Sequence, residues 1–397
     1  MTEQKNEQHG AIVSVAALSV ALLMYTTSMT TPALGEISKA FPEASPEKIK
    51  LLSSIPSLMM VVFSLVSGYV TRYISIKKVL YIAMALLFAG GIVPAFYGGI
   101  NFILGTRFVF GVGYGLVFPL ASAVVIDLFE GSRKNKLMGY RSAVGAAAGV
   151  VFQTMGGVLA MYHWRYAFLG FFLVIPIALL IHFKLPETAV KAAPGGIAGQ
   201  PKEKKLTAWT YIYAVVCALM NLVQFTFMTN VAVVIQADGI GDAVMAANVL
   251  STFTGAAFVT GLLYGHIARI LKRMDIAFAS ACVGVSFVML ISAHTYVMFL
   301  AAACVFGVGF GTYNPSIAIR AAASATQRQY APLAISLYVS GTGVGQFLSP
   351  YATKLARQVF QLTTPRADWI IAAVSILTGT VIAAVIILAT KKQTAAA

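Results

Sequence analysis

About twelve segments of this sequence are long enough and apolar enough to form helices that cross a lipid bilayer. Such a helix needs roughly 20 mostly apolar residues, and lipid admits helices because they satisfy their own backbone hydrogen bonds. The apolar runs are continuous rather than alternating, which argues against a transmembrane β-barrel. We therefore expect an all-α integral membrane protein. The predicted spans are 11–34, 50–71, 79–97, 101–126, 138–161, 165–184, 208–236, 243–268, 275–294, 297–320, 332–356 and 368–390.

The composition supports a membrane environment. Hydrophobic residues make up 59% of the 397 residues and charged residues only 10%, and the mean hydropathy is +0.82. A soluble domain carries roughly 25% charged residues. Most of this chain must therefore be solvated by lipid.

The formal net charge of +15 reflects topology and does not indicate nucleic-acid binding. If both termini are cytoplasmic, roughly 20 of the 28 Lys and Arg residues fall on cytoplasmic segments, as the positive-inside rule requires. We expect a multi-pass protein of the cell inner membrane with both termini in the cytoplasm. Its densest basic clusters are Arg72/Lys77/Lys78, Arg133/Lys134/Lys136/Arg141, Lys202/Lys204/Lys205 and Arg269/Lys272/Arg273.

An internal repeat divides the chain into two related halves. The run Val109–Gly115 (VFGVGYG) recurs 196 residues later as Val305–Gly311 (VFGVGFG). One spacing that joins several helices indicates duplication. The predicted domains are residues 1–189, a linker at 190–207 and residues 208–397. The same spacing relates Pro119 to Pro315, Gly145 to Gly341 and Gly149 to Gly345.

Two halves with the same membrane orientation suggest how such a protein works. Parallel repeats related by an axis along the membrane normal enclose a binding site near the middle of the bilayer. Rocking of one half against the other then exposes that site alternately on the two sides. The sequence therefore favours a secondary transporter.

Several short motifs, in order along the chain, resemble the major facilitator superfamily over nearly its whole length. They are the basic stretch Gly68–Lys78, Arg107-Phe-Val-Phe-Gly111, Trp164-Arg165-Tyr-Ala-Phe168 and Leu185-Pro-Glu-Thr188. The Arg-x-x-x-Gly motif in span 4 is similar to the motif found at that place in the twelve-helix drug:proton antiporter branch of this superfamily. This resemblance implies two six-helix bundles with pseudo-two-fold symmetry, a monomer, and export coupled to protons.

Arg107 is the ionisable residue that we place clearly inside a span. A charge there costs about 2.5–3.5 kcal/mol on insertion scales and indicates function by default. The resemblance implies a role in proton coupling or in the electrostatics of a cavity. Alternatively, Arg107 binds a carboxylate or phosphate group through paired hydrogen bonds. A third reading is that it caps backbone carbonyls or extends toward the membrane surface.

The resemblance also implies that spans 1, 4, 7 and 10 line a cavity, so their polar residues are candidate substrate ligands, and Gln153 and Gln346 on the paired spans 5 and 11 are added to them. The alternative is that amides join helices and that tyrosines pack as ordinary aromatics. For gating, the resemblance implies a pair between Asp127 and a basic residue. The candidate ligands besides Arg107 are Tyr25, Tyr114, Gln153, Asn221, Gln224, Tyr313, Asn314 and Gln346. The candidate gating residues are Arg72, Lys77, Asp127 and Arg269.

Two function hypotheses remain at this point. Asp and Glu are absent from the deep parts of the predicted spans, which disfavours organic cations because a desolvated cation needs a counter-charge. The first hypothesis is an exporter of small amphipathic or hydrophobic compounds. The second is uptake, exchange or facilitated diffusion of a small organic anion or neutral solute, with Arg107 as anion ligand. The sequence has no His-Glu-x-x-His motif and no clustered His or Cys ligands, so we expect neither an enzyme nor a cofactor.

Overall fold

The computed structural model describes residues 2–71, 73–187, 206–326, 331–362, 364 and 366–396. Within them the backbone is helical except for turns, loops and one isolated bridge between Leu206 and Ala325. The chain divides into two compact units, Met1–Glu203 and Lys204–Ala397, called here the first and the second unit. The division falls in the predicted linker 190–207. Residues 188–205 lie outside the described part, so that linker stays a prediction.

The first unit holds seven α-helices in its described residues. They are α1 (Thr2–Leu23), α2 (Leu34–Ala40), α3 (Pro46–Val70), α4 (Ile76–Ile92), α5 (Ile100–Leu128), α6 (Gly131–Tyr162) and α7 (Val174–Lys184). Three segments in the tighter 3₁₀ conformation join them, at Thr26–Met29, Val93–Ala95 and Trp164–Leu173.

The second unit holds six α-helices in the part that is described. They are α8 (Ala208–Ala237), α9 (Ala243–Leu271), α10 (Asp275–Ile291), α11 (Tyr296–Ala323), α12 (Ala331–Phe360) and α13 (Ala367–Ala396). A 3₁₀ turn at Lys272–Met274 precedes α10.

Except for 11–34, each predicted span coincides with one of these helices or with two consecutive segments, and the prediction of an all-α membrane fold is confirmed. Among the described residues, eight helical segments are long and apolar enough to cross a membrane by length and composition, and three shorter apolar helices accompany them.

The predicted span 11–34 is wrong as a continuous helix. Helix α1 ends at Leu23, a 3₁₀ segment follows, and α-helix resumes only at Leu34. The Thr26 hydroxyl donates to the Leu23 carbonyl at 2.8 Å and the Thr30 hydroxyl to the Thr27 carbonyl at 3.2 Å. Such local bonds compete with the helical backbone pattern, and Pro32 has no N–H to donate.

Glycines bring the helices of both units into close contact, and they do so at repeat-related positions. A Cβ atom added at Gly111 of α5 would meet Met59 of α3 at 2.7 Å. One added at Gly307 of α11 would meet Ala256 of α9 at 2.6 Å. The duplicated sequence therefore encodes a duplicated helix contact, in which a glycine is needed because any side chain would push the neighbour away.

Candidate functional site

Arg107 lies on α5 and is 1% exposed. Its Nη2 atom donates to the carbonyl oxygen of Gly90 at 2.6 Å and to that of Gly91 at 3.3 Å, both at the end of α4. Three phenyl rings lie 4.9–5.3 Å from the guanidinium carbon, those of Phe110, Phe168 and Phe171.

These contacts are those of a structural residue. The last carbonyls of a helix have no partner within it, and a guanidinium supplies donors without bringing water into the membrane. Aromatic faces stabilise the same charge. We call this arrangement the Arg107 clamp. It favours the carbonyl-capping interpretation of Arg107 over the ligand interpretation, because the surrounding side chains leave the guanidinium almost no exposed surface.

Tyr25 and Tyr114, two of the predicted ligands, lie together in the first unit. Tyr25 follows the end of α1, and Tyr114 lies halfway along the 29-residue helix α5. The Tyr114 hydroxyl hydrogen-bonds to the Thr27 side chain and interacts electrostatically with Tyr25. On its other side, the Tyr25 ring packs against Gly145 of α6, where an added Cβ would approach it to 2.5 Å. The sequence therefore identified two members of one polar cluster.

Arg141 of α6 belongs to the same cluster, and the sequence analysis assigned it to a basic cytoplasmic group. Arg141 is partly buried, and its Nη1 atom contacts the Met24 sulfur at 3.8 Å; its place on the cytoplasmic side stays a prediction. Its charge lies next to Tyr25. The predicted span 138–161 already included Arg141, so its position inside a span was the signal that could have identified it.

Polar side chains predicted as ligands in the second unit bond mainly to the protein. The Asn221 amide donates to the Cys217 carbonyl at 2.9 Å, one turn earlier in α8. The Tyr313 hydroxyl donates to the Val216 carbonyl at 2.9 Å. The Asn314 side-chain oxygen accepts from the Tyr338 hydroxyl at 2.7 Å. The Tyr313 and Asn314 contacts match the alternative interpretation, in which polar groups hold helices together, whereas the Asn221 bond lies within α8.

Gln224 differs from its neighbours on α8. It is 4% exposed, and its Nε2 atom contacts the Met228 sulfur at 3.0 Å. Its Oε1 atom is buried without a hydrogen-bond partner in the described residues. An unsatisfied buried acceptor is costly, so Gln224 keeps its place as a candidate ligand. Gln153 is buried on α6 and Gln346 is partly exposed on α12.

Three of the predicted gating residues, Lys77, Asp127 and Arg269, lie in the described part of the chain. Lys77 donates to the carbonyls of His182 at 2.9 Å and Leu185 at 2.6 Å, and so caps the end of α7. Arg269 is exposed on α9 and Asp127 is partly exposed near the end of α5. Arg72 lies outside the described residues, so its pairing with Asp127 stays a prediction.

A charged cluster that the sequence analysis missed lies at the start of α10. Asp275, which is 1% exposed, forms a two-pronged ion pair with Arg320 of α11, at 2.8 and 3.1 Å. Ser316 donates to the same carboxylate at 2.8 Å and Tyr264 of α9 at 2.9 Å. The cluster ties together the ends of α9, α10 and α11. Asp275 and Arg320 are far apart in sequence, and no local pattern links them.

The second unit also contains a cavity of about 460 Å³, bordered by α8, α10, α11, α12 and α13. Ligand sites usually occupy about 300–1,000 Å³. Its walls are mainly apolar, with Leu219, Val223 and Ala372 among them. Asp368 also lines it, but that carboxylate is held by Arg357 at 3.1 Å. The cavity is suited to an apolar molecule.

Comparisons with known proteins agree with this architecture. A sequence model of the Major Facilitator Superfamily matches residues 16–350. The multidrug efflux protein YfmO of Bacillus subtilis is 24% identical over 374 residues, which are 92% of each chain.

Two solved structures resemble the fold. The nucleoside transporter NupG superposes with a TM-score of 0.77 at 13% identity, over 95% of this chain and 99% of that one. A peptide transporter in complex with sulfate gives a TM-score of 0.75 at 14% identity, over 96% and 94%. At these identities the likeness concerns the fold alone.

Proposed function

From this chain's membership of the Major Facilitator Superfamily, which makes it a transport protein rather than an enzyme, we propose that it is a secondary active transporter. It works by alternating access, in which two related bundles rock to expose one site in turn on each side of the membrane. It acts as a monomer in the cell inner membrane, with both termini in the cytoplasm. The distribution of Lys and Arg supports that orientation.

The transported compounds are small and amphipathic or hydrophobic, and they are exported in exchange for protons. The observation that carries this proposal is the cavity in the second unit. Its walls are mainly apolar, and the Asp368 carboxylate that lines it is already paired with Arg357. A cation would find no available counter-charge there. The likeness to a multidrug efflux protein along 92% of the chain supports the same direction.

Uptake or exchange of a small organic anion is the second candidate function. It was suggested by Arg107, but the clamp gives that guanidinium a structural role. Arg141 supports this candidate better, since it is partly buried and donates to the Met24 sulfur, whereas Arg107 donates to backbone carbonyls.

Accumulation of a neutral lipophilic dye tests the proposed export. Cells that lack their own exporters are loaded with Nile red, with and without this protein. We expect lower accumulation with the protein and loss of that effect when a protonophore dissipates the proton gradient. Equal accumulation in both strains would contradict export of hydrophobic compounds.

Two substitutions on α13 test whether the cavity takes part. Ala372→Phe places a ring in the cavity, where Ala372 is 5% exposed. Val374→Phe is the matched control, since Val374 lies two residues away, is 62% exposed and does not line the cavity. We expect Ala372→Phe to abolish export and Val374→Phe to preserve it. Equal activity of the two variants would exclude the cavity from the transport route.

A further inference from the structure

We propose that Arg141, with the hydroxyl groups of Tyr25 and Tyr114, binds the anionic group of an amphipathic substrate, such as a carboxylate or sulfonate. This inference rests on the proposed transport function and adds the substrate class to it. The apolar body of the molecule would extend over the neighbouring hydrophobic side chains of the first unit.

Arg141 is partly buried near the start of its predicted span. It lies about ten residues into the 32-residue helix α6 and three residues inside the predicted span 138–161, roughly 5 Å along the axis at 1.5 Å per residue. Its side chain contacts Met24, and Tyr25 packs against Gly145, one turn further along α6. A charge that is partly buried in this way is costly unless it is paired.

Arg141 has no counter-charge among the described side chains. The hydrogen bond that Arg141 makes there is to the Met24 sulfur, at 3.8 Å, and sulfur is a weak acceptor. Its Nε atom is buried and has no hydrogen-bond partner in the described residues. No ion pair of the described part of the chain includes Arg141. A guanidinium carries five N–H donors, and an anion would satisfy those that are left.

Hydroxyl groups near Arg141 supply further donors. The Tyr25 hydroxyl would lie 3.2 Å from a Cβ added at Gly145, one turn from Arg141 on α6, and Tyr25 interacts electrostatically with the guanidinium. Tyr114 interacts in the same way with Tyr25 and hydrogen-bonds to Thr27. A carboxylate accepts about four hydrogen bonds, and a guanidinium can supply two of them in parallel. Phenolic hydroxyls can supply the rest without adding charge. The cluster therefore matches an anion better than a cation.

Helix α1 is interrupted at Met24 and Tyr25, next to Arg141. Met24 and Tyr25 lie between the end of α1 and the 3₁₀ segment that begins at Thr26. At membrane depth, such backbone is tolerated only where it is buried in protein or borders a cavity with polar contents. The interruption places Tyr25 against α6, on the same side as Arg141.

Apolar side chains next to Tyr25 can accommodate the hydrophobic part of the substrate. Met29, Ala148 and Phe152 form a buried cluster on which Tyr25 also packs. Polar and apolar groups therefore meet at Tyr25. This combination fits a small molecule with one anionic end and a hydrophobic body, and it fits an inorganic anion poorly.

Ligand-induced thermal stabilisation of the purified protein tests the inference, with three probes that share one body. They are 1-naphthoate, the neutral 1-naphthamide and the cationic 1-naphthylmethylamine. The variants are Arg141→Gln, Arg141→Lys and the control Arg133→Gln. Arg133 lies on the same helix and is exposed, so the control makes the same charge change outside the site.

We expect naphthoate to bind the wild type and Arg133→Gln alike and to bind Arg141→Gln about 10- to 100-fold more weakly, as for a lost charged hydrogen bond. Arg141→Lys should be intermediate, because a point charge replaces the fork. The amide should bind weakly and equally to all four proteins. If Arg141→Gln fails to fold, naphthoate binding is compared between the wild type and Arg141→Lys.

Three results would overturn the inference: no binding of naphthoate to the folded wild type, equal binding to the wild type and both Arg141 variants, or a preference for the amide or amine. The proposed function is tested separately by dye export. Export of the dye by a wild type that does not bind naphthoate, or that binds it as well as Arg141→Gln does, removes this inference alone. Naphthoate binding through Arg141 without any transport removes the proposed function and leaves the binding site.

Discussion

Replacement of Arg107 by lysine separates the two interpretations of this residue. The positive charge stays, but an ammonium is more strongly hydrated than a guanidinium and costs more to bury. The lysine ammonium ends about 1 Å short of the reach of a guanidinium, and it loses the planar fork. Its bonds to the Gly90 and Gly91 carbonyls, now 2.6 and 3.3 Å, would lengthen or break.

The size of the effect follows from those contacts. A hydrogen bond to a charged group contributes about 1.5–3 kcal/mol, and a desolvated cation–π contact contributes up to about 2 kcal/mol. Losing the shorter bond and weakening the ring contacts should lower the stability of the first unit by about 2–4 kcal/mol. For a unit of this size, that corresponds to a fall of roughly 5–15 °C in apparent Tm.

Thermal unfolding of the purified protein measures this, with and without 1-naphthoate. Arg165→Lys is the comparison, since Arg165 also donates to two carbonyls, those of Pro94 and Gly98, but is partly exposed. Its loss should be smaller because water can replace the protein contacts. An unchanged Tm in Arg107→Lys, together with weaker naphthoate binding, would refute the clamp and restore Arg107 as a ligand.

Three further substitutions test the packing and the buried polar groups. Arg320→Gln leaves the buried Asp275 charge without its ion pair and should lower the free energy of unfolding by about 3 kcal/mol, the low end of the range because Arg320 is 30% exposed. Adding Asp275→Asn should recover much of that loss, and an additive double-mutant cycle would argue against coupling of the two residues. Gly111→Ala should destabilise the protein by about 1–3 kcal/mol because its Cβ would meet a methionine side chain at 2.7 Å. The control is Gly105→Ala on the same helix, whose Cβ would meet nothing within 4 Å, and equal unfolding temperatures of the two variants would contradict the close contact. Gln224→Leu removes an unsatisfied acceptor and should leave the protein as stable or about 1 kcal/mol more stable while transport falls; full transport would exclude Gln224 as a ligand.

The helices and their closest contacts could be predicted because they depend on local and periodic features. Apolar length located the spans, and the repeat of Gly111 at Gly307 anticipated two equivalent helix contacts. The interruption after Leu23 was missed because hydropathy does not register hydrogen bonds from hydroxyls to the backbone. The run of Thr and Ser before Pro32 was the available signal.

The candidate site was less predictable because partners are set by tertiary contacts. The sequence placed Arg107 clearly inside a span and Arg141 in a cytoplasmic basic cluster, but it did not show which of them contacts helix carbonyls. The Arg107 clamp depends on the approach of α5 to Gly90, and the Arg141 cluster depends on where α1 stops. Asp275 and Arg320 likewise meet only because α10 and α11 pack together.

Flux in reconstituted proteoliposomes tests the central claim, secondary transport by proton exchange, most directly. Vesicles with an acidic interior are given an external lipophilic fluorescent compound, and its entry and the internal pH are followed together. We predict entry that requires the protein, continues against the compound's own gradient, and raises the internal pH as protons leave. Entry without any change in internal pH, or no entry at all, would contradict the account.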